Sequence, residues 1–216
     1  MKTVSVISQK GGAGKTTMAL HLAVASALSG RNTAVIDLDP QASAASWADR
    51  RETEVPVVLS AHASRLRREV TRVAIIGGEM LFLDTAPHSD GSALEAARLS
   101  DLVLIPCRPA ILDLDALNNS LDFLRTARKP ICVVLNAIAS VGHDADQAVE
   151  ALKGLGVEIC PVRLGNRVAF ARSLITGQVA QEFDPKGKAA AEMDRLHQFV
   201  QGRLSQTGAY GGLPDG

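Results

Sequence analysis

The run SQKGGAGKTT, residues 8–17, restricts this chain more than any other stretch. Gly11, Gly12 and Gly14 permit tight backbone turns whose N–H groups can converge on an anion. The apolar run TVSVIS before them reads as a strand. A helical pattern follows from Gly14 to about Leu28, stopped by Gly30. Strand, glycine-rich loop and helix in that order aim the positive end of a helix at the loop, which is the build of a phosphate site. The predicted nucleotide contacts are Gly11, Gly12, Ala13, Gly14, Lys15, Thr16 and Thr17. Lys15 is placed to reach β- and γ-phosphates and the Thr16 hydroxyl to hold Mg²⁺. A dinucleotide fingerprint would need glycine where Thr17 stands, which argues against NAD. The ordinary phosphate-loop pattern wants glycine where this chain has Gln9, and a second lysine, Lys10, follows at once. Lys10 precedes the turn, so its side chain is expected to project away from the phosphates its own loop encloses. It can serve a nucleotide held by a facing subunit, or be a solvated surface lysine; position alone leaves both open.

Hydrophobic residues are 46% of the 216 and aromatics only 3%. The core must therefore be Val, Leu, Ile and Ala, which suits buried parallel strands under Ala-rich helices. Compact apolar runs recur at TAVIDLD (33–39), VPVVLS (55–60), MLFLD (80–84), LVLIP (102–106), ICVVLN (131–136) and VEICPV (157–162). Helical segments are expected through Trp47 and over 61–74, 112–127, 144–155, 167–177 and 188–204, with a loose tail at 205–216. Strand and helix alternate without a linker or an internal repeat. The predicted fold is a single α/β domain over 1–204: a doubly wound, mostly parallel sheet flanked by helices on both faces. In such a sheet ligands sit beyond the carboxyl ends of the strands, where the loop falls. The formal net charge is zero, so binding to nucleic acid or anionic lipid must come from a local patch. Cys107, Cys132 and Cys160 lie far apart in apolar runs and read as core residues. The N-terminus is too short and polar for a secretion signal, and no apolar run approaches the ~18 residues of a membrane span, so a cytoplasmic protein is expected.

KGGAGKTT resembles the deviant Walker A loop of the ParA/MinD family of ATPases, and the likeness continues in order down the chain. VIDLDPQ (35–41) is similar to that family's second acidic motif, LFLDTAP (81–87) to its Walker B strand, SDLVLIPCRP (100–109) to the segment after it, and DPKGKAAAEM (184–193) to the closing segment of partition ATPases. The resemblance implies ATP and Mg²⁺ as cofactors and an ATP-dependent homodimer, or a higher polymer. In it Lys10 crosses to the partner's phosphates, Lys15 serves its own, and Asp39 orients the attacking water. Asp84 is implied to hold Mg²⁺ through water, and Thr85, Ala86 and Pro87 to begin the γ-phosphate switch. Asn136 is implied to contact adenine, with Pro161 against the same pocket.

Asp37 and Asp39 are two apart, which on a strand puts both on one face at its carboxyl end. Asp37 is left either as an indirect magnesium or loop support or as a purely structural residue. No strong general base is evident, so hydrolysis is expected to be slow until a partner adjusts the site. Residues 161–203 carry seven Lys or Arg against four acids in a chain of zero net charge. The resemblance implies that Arg167, Lys186 and Lys188 contact DNA phosphates without sequence preference, solvated surface charge being the alternative for each. With the loop starting at residue 10, no helix-turn-helix is expected before it. This resembles the small partition ATPases, which leave sequence recognition to a small centromere-binding activator. The expected function is a nucleoid-associated DNA partition ATPase. The alternative is a MinD-like membrane-associated or other cargo-positioning ATPase, but the glycine-rich C-terminus lacks the basic amphipathic helix that a membrane would need. A ligase of small molecules lacks a recognisable substrate motif, and an iron–sulfur carrier lacks suitably spaced cysteines.

Overall fold

In the computed structural model, which describes residues 1–206 apart from the Asn119 side chain, the apolar runs assemble into one sheet. Its strands are β1 Lys2–Val6, β2 Thr33–Asp37, β3 Val57–Ser60, β4 Met80–Asp84, β5 Leu102–Cys107, β6 Ile131–Leu135 and β7 Glu158–Ile159. They run parallel in the order β3-β2-β4-β1-β5-β6-β7. The helices between them are α1 Lys15–Leu28, α2 Ser43–Ala48, α3 Leu66–Ile75, α4 Asp90–Leu99, α5 Ile111–Arg125, α6 Asp144–Lys153, α7 Val168–Ile175, α8 Ala180–Phe183 and α9 Lys188–Gln206.

Successive strand residues point to opposite faces, and here both faces are covered, so the central strands are apolar throughout. Val4, Val6, Val35, Phe82, Leu104 and Val134 pack against α1, α2 and α7 to α9 on one side. On the other, Ile36 and Leu83 meet α3 and α4, while Ile105 and Leu135 meet α5 and α6. α1 is buried from Met18 to Ser26. A helix that is wrapped on all sides can be apolar all round, and this one is held rigidly behind the loop that precedes it.

Register fixes the geometry of the site. Val6 pairs with Asp84, and Asp84 with Asp37, so the ends of β1, β4 and β2 form one row. β1 lies between β4 and β5, where the chain switches from one half of the sheet to the other. The loop leaves from that switch point, the usual crevice for a ligand.

Several local expectations need revision. α4 was not anticipated: Ala93, Ala96 and Ala97 bury its inner face, and small residues give a weak periodic signal. α8 was also missed, being a single turn. The helix expected over 61–74 begins as a 3-10 turn at Ala63–Arg65 before α3. β7 is only two residues long; Pro161, which has no N–H, interrupts VEICPV as a strand. α9 continues to Gln206, past the expected boundary at 204, and the remainder of the expected tail lies outside the described residues.

Candidate nucleotide site

The phosphate loop owes its shape to its glycines at two places. Gly12 and Gly14 take φ of +72° and +94°, where a side chain is strained. A Cβ on Gly14 would also stand 2.4 Å from Asn136 Nδ2. α1 begins at Lys15 with no side-chain cap and no acidic residue in its first turn. Its leading N–H groups and dipole are thus left for an anion. Gln9, standing where the ordinary motif has glycine, donates from Nε2 to Asp90 Oδ1 at 2.9 Å and ties the loop to the start of α4. That role could not be read from the sequence, because α4 itself was not foreseen.

The two lysines take different environments. Lys15 is 7% exposed, and its Nζ reaches the Lys10 carbonyl at 3.4 Å. Burial pulls its pKa below the ordinary lysine value, against the opposing attraction of Asp84 and Asp39. Lys10 is half-buried and lines a narrow cleft with Ser8, Pro106 and the α5 residues Asp113 and Ala116. Its side chain makes no ion pair among the described residues.

Asp84 is fully buried, and its Oδ2 accepts a 2.6 Å hydrogen bond from Thr16 Oγ1. Its other oxygen, Oδ1, has no partner. Burial lifts its pKa to about 7, with the negative charges of Asp37 and Asp39 adding to the rise and the Thr16 bond and Lys15 opposing it. Two carboxylates, Asp84 and Asp39, thus act on one buried ammonium, and an orphaned buried oxygen of Asp84 lies on the carboxylate that holds the Thr16 hydroxyl. A hard divalent cation with oxygen ligands fits this donor set: Thr16 would hold it directly and Asp84 directly or through water.

Asp37 and Asp39 do not share a strand face, contrary to the sequence expectation. β2 ends at Asp37, and Asp39 lies in the following turn, half exposed, accepting from Gln41 N–H at 2.9 Å. Asp37 Oδ1 accepts from Asp39 N–H at 3.0 Å, and Oδ2 accepts from Ala44 and Ala45 N–H at 2.9 and 3.2 Å. Burial raises its pKa, and those bonds oppose the rise. Of the two roles left open for Asp37, its hydrogen bonds support the structural one: it anchors the first turn of α2 and shapes the turn that presents Asp39. Thr85 is likewise engaged, donating to the Val6 carbonyl at 3.0 Å.

Asn136 stands just past β6 and donates from Nδ2 to the Ala13 carbonyl at 2.8 Å. Pro161 is exposed beyond β7. Thr17 is half-buried in α1, and its carbonyl meets His21 Nδ1 at 2.7 Å. Arg167 is not a free cation. Its Nε and Nη2 bind Glu192 Oε1 at 3.1 and 2.7 Å, and Glu192 Oε2 accepts from Gly165 N–H. Lys186 and Lys188 are exposed at the turn into α9 and make no ion pair among the described residues. Cys132 and Cys160, distant in sequence, lie thiol to thiol, and the pairing raises the Cys132 pKa. No cluster of three or more metal-binding His, Cys, Asp or Glu occurs among the described residues.

Comparison with known proteins supplies the family. Residues 4–180 match the CobQ/CobB/MinD/ParA nucleotide binding domain. The chain belongs to this family. The ParA/MinD-type domain is 28% identical to Protein ParA of Rhizobium radiobacter over 212 residues, covering 93% of this chain and 95% of that protein. It is 24% identical to Maintenance of carboxysome distribution protein A of Halothiobacillus neapolitanus over 208 residues, 92% and 94% of the two chains. The septum site-determining protein MinD of Pyrococcus horikoshii OT3, solved with Mg-ADP, has the same fold, with a TM-score of 0.78 at 16% identity over 95% of this chain and 98% of that one. The ParA/MinD-type domain is an ATPase, and ATP and Mg²⁺ are its cofactors. Mg²⁺, when bound, neutralises charge on the β- and γ-phosphate oxygens. Of this chain's own groups, the uncapped N–H groups at the start of α1 and the Lys15 ammonium would be the ones to meet the phosphates.

Proposed function

We propose that the protein is a partition ATPase that moves cargo over DNA. Two copies with Mg–ATP close face to face, Lys10 of each reaching the other's phosphates. The dimer binds nucleoid DNA non-specifically, and a small centromere-binding activator stimulates hydrolysis and resets it. Asp39, in a turn open beside the loop, orients the attacking water. Asn136 and Pro161 flank the adenine.

The observation that carries the DNA reading is the set of unpaired cations around α7 and the start of α9. Arg172, Lys186, Lys188 and Arg195 are all exposed and outside every ion pair among the described residues. Cations without local partners are free to meet phosphates, and two of them, Lys188 and Arg195, line one surface depression on α9. The relatives named for ParA and for carboxysome distribution match nearly the whole chain. The second of these favours one further reading, in which the same DNA-bound switch distributes a protein body rather than a replicon. Against a membrane matrix, the apolar stripe of α9 (Met193, Leu196, Val200, Leu204) is buried in the core and is not offered to a lipid surface.

The test is retention on random duplex DNA and on anionic liposomes, each with ATP and with ADP. ATP-dependent, salt-sensitive retention on DNA is expected. Replacing Lys186 and Lys188 by Ala should lower affinity for every sequence alike and flatten the salt dependence by about one unit of slope per lysine. Equal DNA retention by the double variant, or ATP-dependent binding to liposomes alone, would overturn the reading.

A further inference from the structure

We propose that Asn136 is a positioning residue of the phosphate loop, and not solely a contact for the base. The inference rests on the ATP site and is independent of the DNA reading above. Asn136 Nδ2 lies 2.8 Å from the Ala13 carbonyl, across 123 residues of chain. That nitrogen must be the donor end of the amide, since a carbonyl can only accept. The same nitrogen lies only 2.4 Å from where a Cβ of Gly14 would be, so the amide packs closely against Gly14.

Two features hold Asn136 in that pose. Its backbone N–H donates to the Cys107 carbonyl at 2.8 Å, extending the β5–β6 pairing by one residue. The next residue, Ala137, takes φ of +53°, a conformation unfavourable for a non-glycine residue, and turns the chain sharply off the strand. A rigid strand end thus presents one amide to one loop carbonyl.

The consequence follows from the planarity of the peptide. In a trans peptide the C=O and N–H point in opposite directions. Fixing the Ala13 carbonyl on the Asn136 side therefore turns the Gly14 N–H to the other side, into the concavity of the loop. Gly14 is the last residue before α1, so this one bond sets the N–H that leads the helix's anion-binding end. Asn136 Oδ1 makes no hydrogen bond among the described residues and is left to accept from an exocyclic amine such as that of adenine. One side chain then ties the shape of the phosphate loop to the strand that flanks the base.

The two roles separate with a probe that has phosphates and no base. In Asn136→Ala, binding of Mg²⁺–tripolyphosphate should weaken about tenfold, because the buried Ala13 carbonyl loses its donor. ATP should weaken at least as much, and hydrogen exchange of amides 11–16 in the free protein should speed up. Asn136→Ser, whose hydroxyl is too short to span the gap, should lose tripolyphosphate affinity similarly and serves where the alanine variant melts early. Undiminished tripolyphosphate binding with weakened ATP binding would make Asn136 a base contact only and overturn the proposal. Unchanged binding of both would do the same. A wild-type protein that bound neither probe would remove the ATP site itself, an outcome distinguishable from the first two.

Discussion

Asp84 shows how one side chain can be poor for the empty fold and right for the loaded one. A fully buried carboxylate with one oxygen unpaired costs stability when ionised, and that cost is the reason its pKa sits near 7 rather than near 4. The folded pKa lies above the unfolded one. The folded chain therefore holds a proton that the unfolded chain has released, and the penalty is present at alkaline pH and fades as pH falls from about 7 toward 3.8. Asp84→Asn keeps an acceptor for the Thr16 hydroxyl and carries no charge. Without nucleotide it should unfold at higher denaturant than wild type at pH 8, the gap closing toward pH 5, while Mg²⁺-dependent ATP binding is lost. A variant less stable at pH 8, or one that still needs and uses Mg²⁺ normally, would refute the assignment. Arg167 illustrates the converse. Its ion pair with Glu192, which is only 6% exposed, means that replacing it strands a buried carboxylate, so loss of DNA binding in an Arg167 variant would not isolate a phosphate contact. The unpaired Lys186 and Lys188 are the cleaner probes.

Between elements, the notable join is His21, on the buried face of α1. Its Nδ1 donates to the Thr17 carbonyl and its Nε2 accepts from the Ala180 N–H at 3.0 Å, so α1 and α8 share one neutral imidazole, packed edge-on against Phe170 of α7. Both nitrogens are committed, and the second proton of an imidazolium has nowhere to go. Burial accordingly pushes the His21 pKa down to about 4. Here the folded pKa is below the unfolded value of 6.5, so the unfolded chain takes up the proton first, and stability falls as pH drops from about 6.5 to 4. The full loss is about 3 kcal/mol by linkage. Asp84 works in the opposite sense over part of this range, so the test is a difference. Denaturant unfolding of wild type and His21→Gln should show the wild type losing roughly 2 kcal/mol more between pH 7 and 4.5. Parallel pH profiles would refute the buried neutral histidine. The same block is held from α2, whose Trp47 Nε1 donates to the Gln178 carbonyl, while Arg51 pairs with Glu182 at 2.7 Å. The elements that carry the loop and Asp39 are thus both pinned to α8, beside the α7 and α9 surface proposed for DNA.

For the molecule as a whole, the decisive expectation is that two copies are needed. Lys15→Ala should abolish ATP binding. Lys10→Ala should bind ATP normally yet sediment as a monomer with ATP and fail to hydrolyse it; normal turnover by that monomer would end the cross-subunit role. The geometry of the loop was readable beforehand, because a strand–loop–helix turn depends on local sequence: glycines that reach positive φ, a helix start without an acid, and a lysine and a threonine at fixed spacing. The buried parallel strands were legible for a related reason, since a strand covered on both faces is apolar at every position. Elements stabilised by small residues or by distant partners were not. α4 buries alanines, α8 is one turn held by His21 and Glu182, and β7 shrinks at a proline. Side-chain commitments were the least visible. Asn136 clamping Ala13, Arg167 spent on Glu192 and Gln9 reaching Asp90 join residues far apart in the chain, and Asp37 caps α2 only across the turn that follows β2. Local sequence encodes backbone preference and the order of burial, which act over a few residues. Which donor meets which acceptor is set only when the strands have taken their order and register, because that packing brings remote polar groups within 3 Å or so of each other and leaves them no water to bind instead.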